Sequence, residues 1–179
     1  MLFSGVYQSP LGEIRLLADQ NFLFNLALSG QSFPAQSAEI VPALPENTPV
    51  LRETCAWLEA YFAGKKPSIS SIPLALQGTG FRLAVWELLK QIPYGKTRTY
   101  GDLAAEIASQ QGIEKMSARA VGGAVGSNPI SIIIPCHRVI GAKGNLTGYG
   151  GGLDLKIRLL RHEGVDPGSF YLPGIKKRK

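Results

Sequence analysis

The chain has 179 residues, 45% of them hydrophobic and 18% charged, with 19 Lys and Arg against 13 Asp and Glu for a net charge of +6. That length holds one domain or two small ones around a real core, and apolar stretches of only a few residues exclude a membrane span. The opening MLFSGVYQSPLGE does not have the make-up of a secretory leader, two cysteines in unlike surroundings do not suggest a disulfide framework and point to a reducing cytosol, and the mild positive charge is compatible with a polyanionic partner.

The first thirty residues predict a β-meander, with strands over 2–8, 13–18 and 22–29 separated by the turn signals Ser9-Pro10-Leu11-Gly12 and Asp19-Gln20-Asn21. After a polar stretch, Thr48-Pro49 reads as an N-cap with proline at the first helical position. Leu51, Cys55, Leu58 and Phe62 then recur at helical spacing up to Gly64, which places Cys55 on a buried stripe as a small hydrophobe. The connector 65–80 carries Pro, Ser and Gly, and a domain boundary is expected near its end, dividing the chain into 1–77, 78–168 and a basic tail, 169–179, that ends in Lys176–Lys179.

Phe81, Ala84, Val85, Leu88, Leu89 and Ile92 give the cleanest helical period, and Pro93-Tyr94-Gly95 ends it. Thr99 caps a predicted helix through Leu103, Ala104 and Ile107, and Ser117 caps a second over 118–126, stopped by Asn128-Pro129. The pair is a candidate helix-turn-helix, although such pairs also serve as plain packing units. Ser131-Ile132-Ile133-Ile134 predicts a short buried strand leading to Pro135-Cys136-His137-Arg138, and a last helix carries Leu153, Ile157 and Leu160 to Glu163-Gly164.

The segment ARAVGGAVG, 118–126, is an unusual helix, because each glycine costs roughly 1 kcal/mol relative to alanine. Packing accounts for Val121 and Val125. The adjacent Gly122 and Gly123 suit a surface that another backbone approaches closely, with Arg119 as its one long cationic side chain.

Cys136 is the candidate nucleophile, and a free thiol needs a base near it. His137 is the obvious base, through a bridging water if the chain is extended there, and His162 is a lesser competitor. Glu163 is the candidate orienting acid. Cys-His alone would equally suit a cysteine hydrolase. No CxxC or HExxH occurs, and Gly150-Gly151-Gly152 does not follow a strand into a nucleotide-binding loop, so no metal or cofactor is expected.

Taken together, ARAVGGAVGSNPI at 118–130, IPCHRVIG at 134–141, TGYGGGL at 147–153 and LLRHEG at 159–164, with GTGF at 78–81 and TRTYGDLA at 97–104, make the chain resemble the O6-alkylguanine-DNA alkyltransferases, also called methylated-DNA-protein-cysteine methyltransferases. The likeness is continuous from about Gly78 to Val165. It implies an α+β protein with an N-terminal antiparallel β-sheet and helix of ribonuclease H-like type, and a mostly helical C-terminal domain with a winged helix-turn-helix. The implied partner is double-stranded DNA carrying an alkylated guanine, bound through the minor groove by a monomer with no membrane and no cofactor.

By motif position, the resemblance makes Cys136 the alkyl acceptor, His137 its base through water, and Glu163 the group orienting His137. Asn128 ties the second helix to the active-site segment. Arg119 fills the gap left in the base stack, and Ala118, Ala120, Gly122 and Gly123 share its DNA-facing surface. Tyr100 crowds the phosphate and donates to the ring nitrogen of the departing base. The pocket is expected to be bordered by Val125, Ser131, Val139, Tyr149 and Gly150, with the carbonyls of Cys136 and Val139 reading the exocyclic amine and the Gly150 amide facing O6. Many relatives carry serine where this chain has Gly150, and the loop 109–116 is longer than in short relatives. Relatives that bind damaged DNA without repairing it lack the cysteine.

Overall fold

The computed structural model describes residues 1–34, 40–44, 48–166, 168 and 170. The expected basic tail lies almost wholly outside them. The chain divides into two compact units, one of Met1–Gln77 with Pro129–Ile134, the other of Gly78–Asn128 with the residues from Pro135 onward.

In the first unit, β1 (Leu2–Ser9), β2 (Gly12–Ala18) and β3 (Leu23–Leu28) form the expected antiparallel meander, and a short β4 (Ile40–Pro42) adds to β1 in parallel. The sheet order is β3-β2-β1-β4. The tight β1–β2 connection needs Gly12, which sits at φ 105°, where a side chain would be strained. The outer edge of β3 is not left open: Ala75 N–H donates to Leu23 O and Ser131 N–H to Leu26 O, each at 2.9 Å. Covering an edge in this way removes a site for unwanted strand pairing.

Helix α1 (Pro49–Phe62) has proline in its first turn, as expected, but the Thr48 side chain makes no capping hydrogen bond and its hydroxyl is buried without a partner among the described residues. Its buried stripe is Val50, Leu51, Thr54, Trp57, Leu58 and Tyr61. Cys55 is only partly buried, so the stripe is rotated from the expected one. The reason is that Trp57 and Tyr61 are amphipathic and take the core positions, Trp57 Nε1 donating to Ser68 O at 2.8 Å while its ring stays inside.

Residues 131–134 are buried, as their composition requires, but they do not form a strand. Ile133 N–H donates to Ser131 O at 2.8 Å and Ile134 N–H to Ile130 O at 3.0 Å, closing tight turns with Ile132 at φ 66°. A β-branched residue in that region is a genuine outlier, held there only by its surroundings. Isoleucines favour strands because they pack well on a pleated surface, and here the same burial is reached by a folded turn.

The second unit is mostly helical: α2 (Gly80–Lys90), α3 (Tyr100–Gln111), α4 (Ala118–Gly126) and α5 (Leu153–His162). A two-stranded parallel ribbon joins β5 (Arg98–Thr99) to β6 (Val139–Ile140). The caps follow local chemistry. Asp102 N–H donates to Thr99 Oγ1 and Thr99 N–H to Asp102 Oδ2, each at 3.0 Å, and Ala120 N–H donates to Ser117 Oγ. Trp86 anchors α2 to α4 by donating from Nε1 to Ala124 O at 2.8 Å. Among the described residues no helix is long and apolar enough to cross a membrane.

Candidate active site and nucleic-acid interface

Pro135 leads into a single 3-10 turn, Cys136–Arg138, and not out of a strand. The alternation expected of an extended Cys-His pair therefore does not apply, because successive side chains of such a turn fan around it. All three side chains of the turn are buried, and Cys136 is not in a disulfide.

His137 Nε2 lies 2.7 Å from Glu163 Oε1, both groups fully buried. The carboxylate takes three further donors: Arg138 Nε to Oε2 and Arg138 Nη2 to Oε1, each at 2.9 Å, and Gly95 N–H to Oε2 at 3.0 Å. Burial alone would raise the Glu163 pKa, but the hydrogen bond and charge of His137, followed by those of Arg138, override it and hold the carboxyl well below its usual range. Burial acts on His137 in the opposite sense to Glu163 and wins, keeping the imidazole below its ordinary value, with Arg138 and Lys156 pushing the same way. An ionised carboxylate can only accept, so Nε2 carries the ring proton and Nδ1 keeps its lone pair. Nδ1 is buried, and among the described residues no protein group pairs with it.

Glu163 reaches this position as the residue just past the last turn of α5, with Gly164 at φ 78° turning the chain away. His162 does not occupy the base's position, and its carbonyl accepts from Tyr94 Oη at 3.1 Å.

Tyr100, the first residue of α3, points its hydroxyl at Thr147 O and Gly148 O, 3.5 and 3.3 Å away. Burial, aided by negative charge at Cys136, pushes its pKa up to about 12, so the hydroxyl is a proton donor and not a base. The fully buried Lys156 donates to the same two carbonyls, at 3.0 and 3.3 Å. Its pKa is pulled down to about 8 by burial, against the pull of Cys136. Neither Lys156 nor Arg138 stands out in the sequence as a functional residue. A signal for Lys156 exists, since it falls on the same helical stripe as Leu153, Ile157 and Leu160.

On α4, Ala118, Arg119, Ala120 and Gly123 are exposed and Gly122 is half-buried. A Cβ built on Gly122 would meet only the Tyr100 ring, at 3.8 Å, and one on Gly123 would meet nothing within 4 Å. Internal packing therefore does not demand either glycine. Arg119 borders an open groove between α3 and α4 together with Ala104, Ala108, Ile113 and Met116. The Asn128 N–H donates to Val125 O at 3.2 Å, closing α4. Val125 is buried on that helix. Val139 is buried in β6, and its N–H donates back to Cys136 O across the 3-10 turn, so one lone pair of that carbonyl is already engaged. Tyr149 is half-buried and Gly150 exposed in the turn before α5, where Gly152 N–H donates to Tyr149 O. Ser131 belongs to the first unit, where its hydroxyl donates to Gln31 Oε1 at 2.8 Å.

A buried thiol next in sequence to a carboxylate-oriented imidazole, on a mostly helical unit, defines a class of proteins built around a reactive cysteine. Residues 80–165 match the family model of the 6-O-methylguanine DNA methyltransferase DNA-binding domain, and residues 2–76 that of the ribonuclease-like domain of the same proteins. A methylated-DNA–protein-cysteine methyltransferase of Methanosarcina acetivorans is 44% identical over 91% of this chain and 99% of its own length. One from Haemophilus influenzae is 39% identical over 92% of this chain and 87% of its own. The crystal structure of Mycobacterium tuberculosis OGT in complex with DNA is similar with a TM-score of 0.78 and 41% identity, covering 90% of this chain and 93% of that one. The chain belongs to the methylated-DNA–protein-cysteine methyltransferase family.

Proposed function

We propose that the protein repairs DNA by moving a methyl or larger alkyl group from O6 of a damaged guanine onto Cys136, once per molecule. The observation that carries this reading is the buried His137–Glu163 pair at 2.7 Å, which leaves Nδ1 without a protein partner among the described residues, one residue from the buried Cys136 thiol.

The thiol proton passes through a bridging water to His137 Nδ1, and Glu163 stabilises the imidazolium that forms. The thiolate then attacks the alkyl carbon. The S–C bond forms as the C–O6 bond breaks, and the electron pair stays on the guanine. Tyr100, protonated at any physiological pH, donates to the ring nitrogen where that charge collects. Its long contacts to the Thr147 and Gly148 carbonyls are weak enough to exchange for the base. A thioether is a stable product, and no second nucleophile reverses it, so each molecule acts once. The Gly150 amide faces O6 in this reading, Asn128 holds α4 to the active-site segment, and Val125, Val139 and Tyr149 border the base.

The base must leave the duplex to reach a buried sulfur. We assign α4 to the minor groove, with Ala118, Ala120, Gly122 and Gly123 admitting the sugar-phosphate backbone and Arg119 filling the vacated stack. The reading places the protein in the cytosol, where thiols remain reduced. Incubation with a duplex carrying O6-methylguanine should add the mass of one methyl group to the peptide containing Cys136 and none to the Cys136→Ala variant. Catalytic turnover beyond one event, or no added mass, would overturn the assignment.

A further inference from the structure

Arg138 is the third buried residue of the active-site turn, and nothing in the alkyl-transfer scheme uses it. Its guanidinium holds both oxygens of Glu163, through Nε to Oε2 and Nη2 to Oε1, while Nη1 donates to Ile92 O at 2.6 Å and fixes the fork from behind. The plane also lies 5.7 Å from the centre of the Tyr94 ring. Such a two-pronged grip sets the orientation of a carboxylate as well as its charge, and arginine does not lose its proton in a protein.

We propose that Arg138 is a positioning residue for the transfer: it fixes Glu163 Oε1 on His137 Nε2 and shares the carboxylate's charge, so that Nδ1 stands ready for the thiol proton. The inference rests on the alkyl-transfer reading. Among the described residues, the charged and titratable groups around His137 are Glu163 at the end of α5, Lys156 within α5, Arg138 and the Cys136 thiol in its own turn and, beyond the carboxylate, Tyr94. Of these only Glu163 favours the imidazolium, while Arg138 and Lys156 oppose it. Without Arg138, the whole carboxylate charge bears on His137. The His137–Glu163 pair then binds a further proton near neutrality, and the nitrogen needed as a base is occupied before reaction.

The test is the single-turnover rate of methyl transfer from a duplex carrying O6-methylguanine, measured between about pH 5.5 and 9 for the wild type, Arg138→Lys and Arg138→Gln. For Arg138→Gln the acid limb should move up by about one pH unit or more, giving a loss of about fivefold or more near the wild-type midpoint and recovery in alkali. Arg138→Lys, which keeps the charge but not the fork, should fall between. A lower active fraction with an unmoved midpoint would mean a structural role only and overturn the inference. If Arg138→Gln does not fold, the wild type still decides: imidazole nitrogen resonances, simplified by the presence of only His137 and His162, should show His137 neutral with its proton on Nε2 at pH 7. An imidazolium or an Nδ1–H form there refutes the proposal. A wild type that accepts no methyl group removes the alkyl-transfer reading itself, whereas a wild type that reacts normally beside a superimposable Arg138→Gln profile removes only the role of Arg138.

Discussion

Burial of Lys156 makes stability depend on pH in a direction opposite to that of most proteins in alkali. Its pKa falls from 10.5 to about 8 in the folded chain, so between those values the unfolded state binds more protons and stability rises with pH. Integrating the two titration curves from pH 8 to 10 gives a gain of about 2 kcal/mol, and the charged form costs the fold about 3 kcal/mol at pH 7. Tyr100, displaced upward to about 12, acts mainly above pH 10 and leaves this window clear. Replacing Lys156 by Met relieves the burial cost but gives up the hydrogen bonds to Thr147 O and Gly148 O, worth about 1 kcal/mol each. Lys156→Met should therefore run about 1 kcal/mol ahead of its parent at pH 7 and fall about 1 kcal/mol behind it at pH 10. Urea denaturation followed by tryptophan fluorescence reads this, with both proteins carrying Cys136→Ala so that the thiol does not titrate. A parent curve flat between pH 8 and 10, or a loss of more than about 3 kcal/mol on Lys156→Met at pH 7, would refute the reasoning.

Gly122→Ala and Gly123→Ala should each stabilise the free protein by about 0.5–1 kcal/mol, because α4 gains helix propensity and no steric conflict arises. The same substitutions should weaken duplex binding, and a binding isotherm identical to wild type would remove the backbone-approach role of these glycines. Arg119→Ala should slow repair of a lesion in duplex DNA at least tenfold while leaving the reaction with a free O6-alkylguanine base near wild type. Equal losses on both substrates would deny Arg119 its part in extruding the nucleotide.

Local chemistry made much of the fold legible. Thr99 and Ser117 precede helices because their hydroxyls accept from backbone N–H groups two or three positions on, a preference expressed within a single turn of chain. The β1–β2–β3 meander was equally readable from alternation and turn residues. Ser131–Ile134 was not, because β-branched composition reports burial and says nothing of whether the backbone is extended. Tertiary partners supplied the turn at Ile132. Likewise, the Cys136–His137–Glu163 set could be named from residue types and a family resemblance. The hold of Arg138 on Glu163 joins residues 25 apart through a loop and a helix, and no periodicity encodes it. Lys156 was hidden by the general rule that lysines stay at the surface unless paired, which this one satisfies with backbone carbonyls.

The four donors enclosing Glu163 are all supplied from within the protein, and the carboxylate has no exposed side-chain surface. Dissolved ions cannot approach such a charge, whereas the exposed surface of α4 around Arg119 is open to them. Ionic strength thus separates docking from chemistry. Concentrated salt loosens the hold on duplex DNA, while the step at sulfur, once the lesion is seated, proceeds at an unchanged pace.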